Sequence, residues 1–194
     1  MSRWRPDARE RLERAALELF AEQGFAATTV PQITERAGLT TRTFFRHYAD
    51  KREVLFAGEA ELPAMARRMI ADAPPSADPL TLITGALRAV ADTRFEGRRA
   101  DLLRRREIVR SDPGLGEREL RKRAVICEAV TAACRERGFP AMTAALLAET
   151  SATLLFVALQ AWLDQDGDRP LHEFLDEALT SLRSTLSVTG AVPH

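Results

Sequence analysis

Three polar residues at the start of a short predicted helix carry the most specific chemistry in this chain. Thr41, Arg42 and Thr43 follow one another within the segment TTRTFFRHY, residues 40–48. An arginine guanidinium can donate two hydrogen bonds to the O6 and N7 atoms of guanine, and a threonine methyl can contact thymine. We therefore expect these three residues to read base edges in a DNA major groove.

A second group of side chains has the chemistry of a phosphate contact. Hydroxyl groups and backbone amides at helix N-termini favour an anion, and so does a nearby cation. Four residues combine these properties, and we predict that they bind the DNA backbone: Thr29, Thr40, His47 and Lys51. The alternative is that the threonines only cap helices and that the basic residues are solvated surface.

Short helices must hold these residues in place. Residues 9–25 have apolar side chains at the spacing of one buried helical face, and Gly24 can end that helix in a left-handed conformation. A second helix is expected after Thr29, which forms a capping-box pattern with Gln32. Gly38 then permits a sharp turn into the helix that carries the base-reading residues. The pattern predicts a helix-turn-helix, which places its second helix in the major groove.

Residues 9–56 resemble the DNA-binding domain of the tetracycline-repressor (TetR) family of transcription regulators. The resemblance lies in the order and spacing of AALELFAEQGF (15–25), TTVPQITERAGL (28–39) and TRTFFRHYADKREVL (41–55). It implies an all-helical homodimer that binds a palindromic double-stranded DNA operator, usually as a repressor that a small ligand releases. The family commonly has a tyrosine at the position of Phe45, whose hydroxyl contacts a phosphate. Phenylalanine cannot donate that bond, so we expect Phe45 to pack.

The resemblance also bears on the effector. The Thr-Phe-Phe-Arg variant occurs in a subset of the family that includes regulators of acyl-coenzyme-A-like ligands, which implies a hydrophobic or amphipathic small molecule. Helical spacing supplies candidate pocket residues, although the same pattern is typical of plain core: Met65, Met69, Ile83, Leu87, Val90, Leu103 and Phe156. The arginine-dense segment 98–123 could bind an anionic group, but interleaved acidic residues favour a solvated, salt-bridged face.

Beyond residue 56 the chain continues as helices with almost no strand signal, which gives an all-α fold of about nine helices. We expect a DNA-binding domain at 1–52 and a domain for effector binding and dimerisation at 53–194. A helix from about residue 51 should run toward Pro74, either kinked by Pro63 or ended just before it. Turn signals place the later helices at about 78–95, 98–110, 116–137, 141–166 and 170–188.

The last two helices carry the strongest dimerisation signal. Residues 141–163 are apolar nearly all round, which is typical of a helix covered on more than one side. Together with the final helix they predict an intersubunit four-helix bundle. The predicted interface residues are Leu155, Ala158, Trp162, Phe174, Leu175, Leu179 and Leu182. The alternative is a helix buried inside one protomer's own core.

Charge and targeting signals agree with a cytoplasmic DNA-binding protein. The 28 basic and 28 acidic residues cancel, but the first 52 residues hold ten lysine and arginine residues against seven aspartate and glutamate residues. The basic excess thus lies at the DNA-reading end. We find no signal peptide and expect no run of about eighteen apolar residues that could span a membrane. We therefore predict no membrane partner.

Enzyme classes lack a signature in this sequence. There is no Gly-x-Ser-x-Gly elbow, no phosphate-binding glycine loop and no metal-ligand spacing among His47, His172 and His194. We expect a protein that is not an enzyme and that has no cofactor. The remaining alternative is a ligand-independent, nucleoid-type DNA-binding protein with weak sequence preference.

Overall fold

The computed structural model of the chain describes residues 7–57 and 60–187. Over these residues the chain forms ten α-helices and no strand, which confirms the predicted all-α fold. A π-helical turn, Ala91–Phe95, continues the sixth helix. The helices are α1 (Ala8–Gln23), α2 (Val30–Arg36), α3 (Thr41–His47), α4 (Lys51–Leu55), α5 (Leu62–Asp72), α6 (Pro79–Val90), α7 (Arg99–Arg110), α8 (Pro113–Glu136), α9 (Ala141–Asp164) and α10 (Leu171–Ser187).

Side-chain caps start the first helices where the sequence predicts them. The amide of Gln32 donates to the Thr29 hydroxyl at 3.5 Å, and the Thr29 amide donates to the Gln32 side chain at 2.8 Å, which completes the capping box. Thr40 caps α3, and Asp50 caps α4 by accepting from two backbone amides. Gly38 has a φ of 63°, the left-handed conformation that the tight turn requires. The helix-turn-helix is therefore set by local chemistry.

The predicted long helix from residue 51 is instead two helices. α4 ends at Leu55, and α5 begins at Leu62. Pro63 thus lies in the first turn of α5, where its missing N–H costs no hydrogen bond. Pro113 likewise opens α8, three residues before the predicted start at residue 116. Both prolines therefore lie at the start of a helix, and neither of them kinks or interrupts one.

The chain folds into two compact units, and each takes residues from two stretches of sequence. The first unit comprises residues 1–61 and 100–122, and the second comprises residues 62–99 and 123–194. The predicted functional boundary after residue 52 lies inside the first unit. α7 and the first turns of α8 therefore belong with α1 to α4, and α8 supplies residues to both units.

The core of the first unit depends on this later segment. α1 to α4 and the turn after them contribute most of its buried side chains, Phe44 and Phe56 among them. Ile108 and Val109 of α7 and Leu115 of α8 belong to the same buried cluster, and Leu115 is fully buried. The four N-terminal helices thus do not bury their apolar faces alone.

Basic residues fasten the later segment to the end of α4. The Arg105 guanidinium lies 4.9 Å from the centroid of the Phe56 ring, and the Lys122 ammonium lies 5.1 Å from it. Lys122 also donates to the Phe56 carbonyl at 3.3 Å, and both Arg118 and Lys122 pair with Glu53. This part of the arginine-dense segment is therefore salt-bridged, as expected, but it also packs on Phe56 and is not simply a solvated face.

In the second unit, α9 corrects the expectation that no stretch is long and apolar enough to span a membrane. It has 24 residues, and an 18-residue window within it has a mean hydropathy of 1.7. One face of α9 is buried against its own unit, including the small residues Ala144, Ala148 and Ala158. Length and composition of this kind are also typical of a helix buried in the core of a soluble protein.

Candidate nucleic-acid interface

α3 presents its N-terminal residues at the surface of the first unit. Thr41 and Arg42 are exposed, whereas Phe44 is fully buried. Within residues 7–57 and 60–187, no side chain or backbone group pairs with Arg42. The guanidinium is therefore available to an external acceptor. Thr43 is half-buried and its hydroxyl lies 3.0 Å from that of Thr40, so its methyl group is the part left for a base.

The turn between α2 and α3 fixes the start of α3. The Leu39 amide donates to the Thr34 carbonyl at 2.8 Å, across the turn at Gly38. A Cβ atom added to Gly38 would lie 2.9 Å from the Arg11 guanidinium, and Arg11 itself donates to the Ala37 and Gly38 carbonyls. A side chain at Gly38 would therefore disturb both the turn and the contact with α1.

The end of α3 is tied to α1 by a half-buried polar cluster that the sequence did not reveal. The Tyr48 hydroxyl donates to the Glu13 carboxylate at 2.8 Å, and Arg9 donates to the same oxygen at 3.0 Å. Arg9 also donates to the Ala57 carbonyl at 2.7 Å. Burial and the neighbouring Glu13 raise the pKa of Tyr48 above its ordinary value, so the hydroxyl remains a donor at neutral pH. α3 is thus held at both ends.

The predicted phosphate contacts fall into two groups. Thr29 and Thr40 are exposed N-caps of α2 and α3, and His47 is exposed at the end of α3. The Thr29 hydroxyl also donates to the Gln32 side chain at 3.0 Å, and the Thr40 hydroxyl lies 3.0 Å from that of Thr43, so a phosphate contact requires each hydroxyl to exchange that partner. These three residues remain at the surface, where the prediction requires them.

Lys51 differs, because its ammonium is already occupied. It donates to the backbone carbonyls of Phe25 at 2.7 Å, Ala26 at 3.2 Å and Thr28 at 2.8 Å, and it lies 4.4 Å from the centroid of the Phe25 ring. Burial lowers the pKa of Lys51 from its ordinary value, and the nearby charge of Arg52 acts in the same direction. The structure therefore assigns Lys51 to holding the loop between α1 and α2.

Substitution of Lys51 by methionine distinguishes a lysine that holds the loop between α1 and α2 from one that binds a DNA phosphate. Methionine keeps the apolar stem but leaves three carbonyls without their donor, so we expect the free energy of unfolding to fall by about 1–2 kcal/mol. The slope of log affinity against log salt for DNA should stay unchanged, because a lysine that binds no phosphate releases no counterion. If the magnitude of this slope fell by about 1, the predicted phosphate contact of Lys51 would be supported instead. Arg52→Met, at the exposed neighbouring position, is the control.

Phe45 also departs from its prediction. The sequence led us to expect a packed ring, but 59% of its surface is exposed. Its one ring contact with a described aromatic residue is with Phe44, which takes the inward position on α3. Two adjacent phenylalanines of a helix point in different directions, and only one of them can enter the core.

The second unit contains an apolar cavity of about 80 Å³ between α5, α6, α8 and α9. Four of the predicted pocket residues line it: Met69, Ile83, Leu87 and Val90. The other three, Met65, Leu103 and Phe156, do not. Leu103 belongs to the first unit, and Phe156 is 47% exposed. Ser151 is the one polar side chain of the lining, and its hydroxyl donates to the Ala148 carbonyl at 2.8 Å.

The predicted dimer residues are largely used within one protomer. Ala158, Trp162, Phe174 and Leu175 are buried where α9 packs on α10, and Leu155 lines the cavity. Leu179 and Leu182 are half-buried. The large apolar side chains that remain exposed on these helices are Met142, Leu146, Phe156, Val157 and Leu186.

Comparison with known protein sequences supports the helix-turn-helix described above. Residues 13–57 match the sequence model of the bacterial regulatory proteins of the TetR family. The HTH-type transcriptional regulator TcmR of Streptomyces glaucescens is 40% identical over 124 residues, which cover 59% of this chain and 53% of TcmR. The match therefore spans about half the length of that relative.

Solved structures extend the likeness over nearly the whole chain. FadR of Thermus thermophilus, a TetR-family transcriptional repressor solved with lauroyl-CoA, is 27% identical, covers 96% of each chain and has a TM-score of 0.55. A transcriptional regulator from Aquifex aeolicus shares the fold at 17% identity, with 92% of this chain and 99% of that chain covered and a TM-score of 0.55. Residues 13–57 therefore match the TetR-type helix-turn-helix, and nearly the whole chain shares its fold with a TetR-family transcriptional repressor.

Proposed function

We propose that this chain is a homodimeric transcriptional repressor that binds a palindromic operator and leaves it when a small molecule enters the second unit. The observation that carries the proposal is Arg42, which has no partner in the described part of the chain and lies at the exposed start of α3, a helix that the first unit fixes at both ends. A fixed helix with a free guanidinium suits base reading in a major groove. The protein then acts in the cytoplasm, has no catalytic role and needs no cofactor.

In this proposal the contacts divide by chemistry. Thr41, Arg42 and the Thr43 methyl read bases, because a major groove offers both acceptors and thymine methyl groups. Thr29, Thr40 and His47 bind phosphates, which set the register of the protein on the duplex without reading sequence. Lys51 is left out of the interface, since its donors are used by backbone carbonyls.

The Arg42→Ala variant tests base reading. Loss of a bidentate pair with guanine should cost about 1–3 kcal/mol of binding free energy on the operator and relax specificity at one base pair of each half-site. Affinity for random DNA should fall much less. Arg46→Ala is the matched control, because Arg46 is exposed one turn later on α3. Equal loss on operator and random DNA for Arg42→Ala would show that Arg42 binds only the backbone.

Dimerisation is proposed through the exposed apolar face of α9 together with α10. Leu146, Phe156 and Val157 are large hydrophobic side chains that one protomer leaves in water. A two-fold interface pairs the same patch on both subunits, so this face can cover itself in a second copy. The half-buried Leu179 and Leu182 lie at its margin in this proposal.

The effector is proposed to be a small, uncharged hydrophobic molecule. Apart from Ser151, whose hydroxyl is satisfied, every side chain that lines the cavity is aliphatic or methionine. Three arginines on the lining helices are paired with acids in the second unit: Arg67 with Glu136, Arg88 with Asp176 and Arg123 with Glu149. Pockets for drug-sized ligands measure about 300–1,000 Å³, so a larger effector must displace side chains. Met69 has the flexibility to move.

Methyl NMR on methionine tests this effector class. Toluene should shift the Met69 methyl signal saturably and leave that of Met142, which is largely exposed, unchanged. Benzoate, which has the same ring with a carboxylate, should shift neither signal, because burying an unpaired charge is costly. Ala66→Leu narrows the cavity and should weaken toluene binding by about tenfold. Ala71→Leu, at an exposed position of the same helix, should not. Stronger binding of benzoate than of toluene would contradict the proposed class.

α8 is the proposed route from effector to DNA. Its residues Ile126 and Val130 line the cavity, and its residue Leu115 belongs to the core of the first unit. A continuous helix that is displaced at one end moves at the other. The helix predicted from residue 51 toward Pro74 is two helices, so it does not offer such a continuous route.

Selection of genomic DNA fragments on the purified protein tests the proposed function as a whole. At near-physiological salt, retained fragments should share a palindrome. Retention without a common motif would favour a nucleoid-type DNA-binding protein, and loss of the retained DNA on addition of a hydrophobic small molecule would support release by an effector.

A further inference from the structure

Phe45 is an apolar side chain on the helix that carries the proposed base-reading residues. Among residues 7–57 no other large hydrophobic side chain is exposed to this degree. Single exposed hydrophobic residues are common on protein surfaces, so position matters more than exposure. Phe45 follows Arg42 by three residues and Thr41 by four, and residues at these spacings are neighbours on a helix surface. Phe45 therefore lies on the same side of α3 as Thr41 and Arg42.

The orientation of the Phe45 ring is supported from within the first unit. Its centroid lies 5.4 Å from that of Phe44 at an interplanar angle of 81°, the edge-to-face arrangement that stabilises aromatic pairs. Phe44 is fully buried and also lies 5.6 Å from the Tyr48 ring, which is bonded to α1. An exposed ring that is already ordered loses little conformational entropy when a partner covers it.

We propose that Phe45 contacts the C5 methyl group of a thymine in each half-site, an inference that rests on the proposed DNA-binding function. The thymine methyl is the apolar group of the major groove, and phenylalanine is one of the side chains that contact it. Phe45 has no hydrogen-bonding group, so it gains nothing from a phosphate oxygen or a polar base edge. Contact with the methyl removes apolar surface of both partners from water. Phe45 thereby adds a thymine preference beside the position that Arg42 reads.

The test replaces each thymine of the selected operator in turn with deoxyuridine, which removes only the methyl group. At one symmetric pair of positions the full-length protein should lose about fourfold in affinity per half-site, the value for one methyl group returned to water. The Phe45→Ala variant should bind the unmodified operator more weakly and show no further loss at that pair. Phe45→Leu keeps an apolar side chain and should retain part of the sensitivity. Because the ring is mostly exposed, both variants should fold, which circular dichroism checks.

Each other outcome has a definite meaning. Equal affinity for thymine and deoxyuridine at every position overturns the inference, while specific binding to the unmodified operator keeps the proposed function. If Phe45→Ala weakens binding to operator and random DNA equally, the ring contacts the sugar-phosphate backbone and the thymine contact is wrong. Absence of specific binding to any DNA overturns the proposed function and the inference with it.

Discussion

Replacing Phe44 with alanine should lower the free energy of unfolding of the first unit by about 3–5 kcal/mol. Phe44 is fully buried, and its ring contacts those of Phe45 and Tyr48. Removing it leaves a cavity at the point where α3 meets the core, and close-packed surroundings relax only partly into such a space. The loss should be read from amide hydrogen exchange in α1, which reports opening of the first unit alone.

The adjacent Phe45 provides the control for this prediction. The Phe45→Ala variant removes the same side chain one residue later, but from a largely exposed position. It forfeits one ring contact with Phe44 and should cost less than about 1 kcal/mol. The two variants together test the orientation of α3. Equal costs, or a larger cost for Phe45, would mean that α3 is rotated and that a different set of residues faces outward.

Replacing Leu115 with alanine should have a similarly large effect, about 2–5 kcal/mol on the stability of the first unit. Leu115 is fully buried in a cluster with residues of α1 to α4, although it lies in the first turn of α8. The same hydrogen-exchange measurement in α1 applies, because the lost contact lies in the core that α1 helps to form.

The control for Leu115 lies five residues later on the same helix. Leu120 is 67% exposed, and Leu120→Ala should change stability by less than about 0.5 kcal/mol. If both leucine variants leave exchange in α1 unchanged, the N-terminal helices are independent of α8. The proposed route of the effector signal through α8 would then lose its support.

Features set by neighbouring residues could be predicted from the sequence. Thr29, Thr40 and Asp50 each bind backbone amides two or three residues away, so type and position alone identify them as caps. The turn at Gly38 is equally local. The apolar spacing of residues 9–25 predicts which side of α1 is buried, because that helix packs on one side only. Because these caps and this turn fix where α3 begins, the sequence also predicts that the start of α3 is exposed.

Features that depend on distant partners could not be predicted. Nothing near Lys51 in sequence shows that the carbonyls of Phe25 and Thr28 will surround its ammonium. Nothing near Leu115 shows that it enters the core of α1 to α4. Apolar periodicity identifies Trp162 and Phe174 as covered residues but does not say whether their own protomer or a second copy covers them. Such assignments need the tertiary contacts.

Methylation interference on the selected operator tests most directly whether α3 reads bases from the major groove in a symmetric dimer. Dimethyl sulfate methylates N7 of guanine, the major-groove acceptor that an arginine binds. We predict that methylated guanines block binding at two symmetric positions about one helical turn apart, and that Arg42→Ala removes this interference while Arg46→Ala does not. Interference that is absent, asymmetric or unchanged in Arg42→Ala would contradict the proposed recognition.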